Sequence, residues 1–162
     1  MRSDDEIKRA IDLYADTVKK LCMVHLKNEA DTEDIFQTVF LKYFQSDIIF
    51  ENDDHEKAWI IRVTINACKD LLKSFFRSKT VSVENYLNQQ IEIDTTLENR
   101  MILEIVLSLP DKYKNVVYLH YYEGYTAVEI SRILNKNVNT IYTLLSRSKK
   151  ILKEKLGGEN IE

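Results

Sequence analysis

Only three glycines and one proline interrupt this 162-residue chain, and that scarcity removes most of the architectures open to it. Sandwiches and barrels turn about every 8–12 residues and need Gly, Pro or Asn to do so. Long stretches rich in Leu, Ile, Lys and Glu suit helices instead, so the sequence predicts an all-α protein. The length allows one ordinary domain or two very small ones. No apolar run approaches the roughly 18 residues of a membrane span, and Met1 to Glu6 carries no apolar leader. A cytoplasmic protein without membrane insertion is expected. Cys22 and Cys68 lie on apolar helical patterns without Cys-x-x-Cys spacing, so they read as reduced core residues.

Periodicity divides the chain. From Asp5 to Leu26, the residues Ile7, Ala10, Ile11, Tyr14, Val18, Leu21, Cys22 and His25 recur at helical spacing behind an Asp cluster. A second helix is predicted from Asp31 or Thr32, with Ile35, Phe36, Val39, Phe40, Tyr43 and Phe44 inward and Glu33, Asp34, Gln37 and Lys42 outward. A third should run from about Glu56 to Phe76 on Trp59, Ile60, Val63, Ala67, Leu71 and Leu72. Three such helices can close a small core. Residues 78–95 lose the period and read as a flexible linker between two small helical domains, 1–77 and 96–156, with 157–162 as a tail.

The second domain should open with a helix from Thr96 to Leu107. Pro110 then starts a helix that turns Tyr113, Val116, Val117, His120 and Tyr121 inward and stops at Gly124. Next comes a capping box, Thr126 with Glu129, leading a short helix on Ile130, Ile133 and Leu134. Asn135-Lys136-Asn137 breaks it, and Val138 to Leu156 follows with Ile141, Leu145, Ser148 and Leu152 inward. Helix, three-residue turn, helix is the pattern of a helix-turn-helix, and also of plain packing.

Charge separates these readings. The net −3 hides alternating blocks: residues 1–60 hold 8 basic and 14 acidic side chains, residues 61–80 hold 5 and 1, residues 81–111 hold 1 and 6, and residues 132–156 hold 7 and 1. Two basic patches therefore sit in an acidic protein. The second patch falls on the outward side of the last helix, at Tyr142, Thr143, Ser146, Arg147, Lys149 and Lys150. The first is a stripe along the third helix, Arg62, Asn66, Lys69, Lys73 and Arg77, beside Trp59, Phe75 and Phe76. A cationic stripe enclosing an amide suits a surface that tracks phosphates and packs on unstacked bases, although a solvated helix face has the same spacing.

Several stretches together resemble the extracytoplasmic-function sigma factors of bacterial RNA polymerase over nearly the whole chain. They are the runs from Asp31 to Lys42 and from Ala58 to Asp70, then Leu109-Pro-Asp-Lys-Tyr, Tyr122-Glu-Gly-Tyr-Thr and Leu145-Ser-Arg. The resemblance implies that 1–77 is sigma region 2 and 96–156 region 4. It implies docking on core RNA polymerase through Glu33, Asp34, Gln37 and Lys42. It also implies capture of the melted minus-ten strand by Arg62, Asn66, Lys69, Lys73 and Arg77, and reading of the duplex minus-thirty-five element by Tyr142, Thr143, Ser146, Arg147, Lys149 and Lys150. Core polymerase, promoter DNA and an anti-sigma factor are the implied partners, with no cofactor, metal or small-molecule substrate.

The chain departs from the family where Tyr142 and Leu144 replace early basic residues of the last helix, and where Lys136 replaces an apolar turn residue. Tyr142 could instead pack back on the preceding helix. The competing function is a dimeric helix-turn-helix repressor or activator that binds duplex operators without polymerase. An enzyme is not expected: His25, His55 and His120 fall on different segments, and the only Gly-Gly follows the last helix.

Overall fold

The computed structural model describes residues 1–26, 28–78 and 104–157, all of them helix or short connection. The chain divides into two compact units, Met1–Glu92 and Ile93–Glu162. The linker beyond Ser78, the predicted helix before residue 104, the tail beyond Gly157 and the Arg77 side chain lie outside the described residues.

In the first unit, α1 (Asp4–Leu26), α2 (Glu29–Gln45) and α3 (Asp53–Ser78) pack pairwise. Ala10, Tyr14, Val18, Cys22 and Leu26 recur every four residues on α1 and meet Ile35, Val39, Phe40 and Tyr43 of α2 and Ile60, Ala67 and Cys68 of α3. Two starts come earlier than the apolar pattern suggests, because the pattern marks the buried face and the cap marks the helix. Asn28 caps α2 by accepting from the Asp31 backbone N–H at 3.2 Å, so α2 begins at Glu29. Likewise Asn52 Oδ1 accepts from the His55 N–H at 2.8 Å, and α3 begins at Asp53, with Asp53, Asp54 and Glu56 in its positive first turn. Ile61, Thr64 and Ile65 are buried as well as Ile60 and Ala67. A helix touching two partners needs a broader buried face than a single stripe.

In the second unit, residues 104–107 are helical. Pro110 precedes α4 (Asp111–Val117), which widens into a π-helical turn over Tyr118–Tyr122. Helix α5 (Ala127–Leu134) and helix α6 (Val138–Lys155) follow. The π turn corrects the expected inner face. The Glu123 N–H reaches Tyr118 O at 3.1 Å, five residues back, which rotates the phase. Tyr118 and Leu119 are consequently buried, while His120 and Tyr121 are only half-buried. Gly124 follows with φ +78°, the left-handed conformation that frees the chain from this helix.

Candidate nucleic-acid interface

The ends of α5 and the start of α6 are set by local caps and one left-handed backbone stop. Thr126 accepts from the Glu129 N–H at 3.2 Å while Glu129 accepts from the Thr126 N–H at 3.0 Å, closing a capping box. Asn135 ends α5 in the left-handed region at φ 53°, and Lys136 N–H returns to Ser131 O at 2.9 Å. Asn137 then starts α6 by accepting from the Asn139 N–H at 2.8 Å. A single residue, Lys136, separates the left-handed stop from the capped start, which is how the chain reverses so tightly.

Along α6 the residues Ile141, Leu144, Ser148 and Leu152 are buried, and the Ser148 hydroxyl donates to its own helix at Leu145 O, 2.9 Å. Leu144 is thus a core residue and Leu145 is half-buried. The inward assignment shifts by one position, because a stripe of 3.6-residue period can take either neighbour. Tyr142, Thr143, Ser146, Arg147, Lys149 and Lys150 are all exposed. Tyr142 retains 56% of its surface, so the alternative in which it packs back on the preceding helix does not hold.

In the first unit, Arg62, Asn66, Lys69 and Lys73 of α3 are exposed, at intervals of four, three and four on the side away from Ile60, Ala67 and Cys68. Trp59 is half-buried and works inside the unit, 6.2 Å from the Tyr43 ring and 5.7 Å from Phe50. On α2 the residues Glu33, Asp34, Gln37 and Lys42 are also exposed. Leu41, with 55% of its surface open, lies one turn beyond Gln37 and two beyond Asp34. It joins the acidic face, while Lys42 stands on its flank. Sequence reading passed over Leu41 because an apolar residue between Phe40 and Tyr43 looks like core.

It also passed over the group that holds these surfaces in place. Glu56 of α3, buried to 6% exposure, accepts from Tyr14 of α1 at 2.9 Å, from Tyr43 of α2 at 2.9 Å and from Arg9 of α1 at 2.9 Å. Arg9 also pairs with Asp53. Burial pushes the Glu56 carboxyl up, but the hydrogen bonds from Arg9, Tyr14 and Tyr43 outweigh it and hold the carboxyl below its ordinary value. Tyr43 is pushed up to about 12, by burial first and by Glu56 second. One carboxylate therefore ties all three helices. The available signal was two tyrosines on apolar stripes, whose hydroxyls require partners when buried. Arg2 adds a strap from the N-terminus: its guanidinium donates to Tyr43 O at 3.0 Å and to Ile48 O at 2.6 Å, 4.4 Å from the Tyr43 ring centre.

No helix among the described residues is long and apolar enough to cross a membrane. His120, half-buried on the π turn, bonds the Tyr125 carbonyl through Nδ1 at 2.8 Å.

Two family models match the chain, sigma-70 region 2 over residues 10–78 and sigma-70 region 4 over residues 99–152. Among curated proteins, the ECF RNA polymerase sigma factor SigW of Bacillus subtilis is 26% identical over 94% of this chain and 89% of its own length. The RNA polymerase sigma factor SigV of the same organism is 24% identical over 88% of this chain and 86% of its own length. Among solved structures, the sigma factor RpoE bound to the anti-sigma factor NepR from Bartonella quintana superposes with a TM-score of 0.78 at 16% identity, covering 96% of this chain and 99% of that one. CnrH, solved with the cytosolic domain of CnrY, reaches 0.69 at 15% identity, covering 98% of this chain and 92% of that one. These matches lend nothing to an operator-binding repressor.

Proposed function

This chain belongs to the extracytoplasmic-function sigma factors, which direct RNA polymerase to specific promoters, and on that premise we propose how its surfaces share the task. The observation that carries the proposal is that exposed basic faces occur on both compact units, the α3 stripe on one and α6 on the other, within a chain of net charge −3. An acidic protein with two cationic faces suits contact with nucleic acid at two places.

In this reading the α2 face of Glu33, Asp34, Gln37 and Leu41, flanked by Lys42, docks on core polymerase. The acids provide orientation and the open leucine provides apolar contact area. The α3 stripe tracks the melted minus-ten strand: Arg62, Lys69, Lys73 and Arg77 neutralise phosphates, and Asn66 hydrogen-bonds an unstacked base. Helix α6 enters the major groove of the duplex minus-thirty-five element, with Arg147, Lys149 and Lys150 fixing register on phosphates and Tyr142, Thr143 and Ser146 nearest the base edges. The protein acts by binding alone, in the cytoplasm where polymerase and chromosome meet. Its likeness to RpoE and CnrH supports an anti-sigma factor as a further partner.

Run-off transcription with purified core polymerase tests this division. Asp34→Arg should abolish core binding. Asn66→Ala should bind core normally but open promoters about tenfold less well, the scale of one lost base contact. Normal core affinity for Asp34→Arg, or normal promoter opening for Asn66→Ala, would remove the corresponding assignment.

A further inference from the structure

Helix α6 advances about 100° per residue, so its outward residues are not equivalent. Opposite the buried line of Ile141, Leu144, Ser148 and Leu152 run Asn139, Thr143, Ser146 and Lys150, at intervals of four, three and four. Tyr142 and Lys149 stand on one flank of that line, Thr140 and Arg147 on the other. Asn139 heads the line in the first turn of the helix, the part of a recognition helix that meets base edges.

The hydrogen bonds of this turn sort the polar groups by what remains available. Asn137 Oδ1 is taken by the Asn139 N–H at 2.8 Å. The Thr143 hydroxyl donates to Asn139 O at 3.0 Å, so its proton is committed and it presents a methyl group and lone pairs. The Asn139 carboxamide is exposed and makes no hydrogen bond among the described residues. Of these three side chains it alone has every donor and acceptor uncommitted among the described residues.

We infer that Asn139 is a specificity-determining residue that reads one adenine of the upstream duplex element, its Nδ2 donating to N7 and its Oδ1 accepting from the N6 amino group. Thr143, one turn farther along, meets the groove with its methyl group and suits a thymine C5-methyl. The inference rests on the reading of α6 as the helix that enters the duplex.

The test measures promoter binding by the reconstituted holoenzyme on a library randomised across the upstream element. Asn139→Ala should lose about 10- to 100-fold of preference at one base pair and leave the others unchanged. At that position, replacing adenine by 7-deazaadenine should weaken the parent protein and leave Asn139→Ala unaffected. Asn139→Asp, an acid welcome in the first turn of a helix, should shift the preference there towards cytosine, whose amino group only donates. Unchanged preferences in Asn139→Ala, or a uniform loss across all positions, overturn the assignment. Lys150→Ala separates the two levels of the argument. If it weakens all sequences equally while Asn139→Ala changes nothing, α6 binds DNA and Asn139 is not its reader. If neither variant affects binding, the duplex reading of α6 falls together with this assignment.

Discussion

The two units solve the same problem, packing short helices around little apolar volume, in opposite ways. The first gathers α1, α2 and α3 on one buried carboxylate, where Glu56 accepts from Arg9, Tyr14 and Tyr43. The second has no such shared hub and closes mainly over carbon, with Val116, Val117, Leu119, Ile130, Ile133 and Ile141 buried and only Lys114 and Ser148 as buried polar side chains among its described residues. Its shape is set by local devices: Pro110, Gly124, the Thr126–Glu129 box, Asn135 and Asn137. A central polar hub concentrates stability in one residue whose partners lie more than ten positions away, whereas caps and breakers spread it over groups that act on their immediate neighbours. The first design resists change until the hub is touched. The second should lose stability in small steps.

Removing the hub should give the largest effect. Glu56→Ala strands the buried Tyr43 hydroxyl, leaves Tyr14 only the Asp53 carbonyl at 3.2 Å, and should cost the first unit about 3 kcal/mol. Hydrogen exchange on the full chain should show amides of α1 to α3 losing protection while those of α4 to α6 keep theirs. Equal losses in both would break the contrast between the units.

A smaller effect is expected where the second unit depends on one backbone conformation. Asn135 sits at φ 53°, and Asn135→Ala should cost about 1–2 kcal/mol, confined to α5 and α6, while Asn135→Gly should cost little or nothing. If Gly is as harmful as Ala, the Asn135 side chain matters and the turn is not a matter of φ alone.

Mild acid should give the smallest effect and sharpen the comparison without a mutation. Because the Glu56 carboxyl is held below its ordinary value in the folded state, its contribution is fully present above the unfolded pKa of about 4.3 and is lost as pH falls through the folded value. At the alkaline end Tyr43, raised to about 12 from 10.0, contributes stability below pH 10.0 that is lost as pH climbs to about 12. Parallel acid and alkaline titrations of Glu56→Gln should show a flatter dependence in the first unit. A dependence as steep as the parent's would mean that other groups carry it.

The same contrast explains what could be read in advance. The capping box, the Asn135 break and the Gly124 stop were legible because each is a relation between residues at most a few positions apart, and backbone chemistry at that range admits few outcomes. The exposed stripes of α3 and α6 were legible for a similar reason, since helical period alone sends Arg62, Asn66, Lys69 and Lys73 to one side. The π turn at Tyr118–Tyr122 was not. It exchanges one hydrogen-bond register for another of similar energy, and packing of Tyr118 and Leu119 into the core decides between them. The early starts of α2 and α3 escaped because Asn28 and Asn52 carry no apolar mark.

The sequence by itself determined that this protein is helical, where its second unit bends, and which faces carry charge, because those properties follow from neighbours along the chain. Only the tertiary structure decided that Glu56 is a buried hub rather than one more acid in a helix's first turn, that Leu144 faces the core, and that Leu41 belongs to an open acidic face. Each of those outcomes depends on which helix lies opposite, and a residue's burial is set by the partner that covers it.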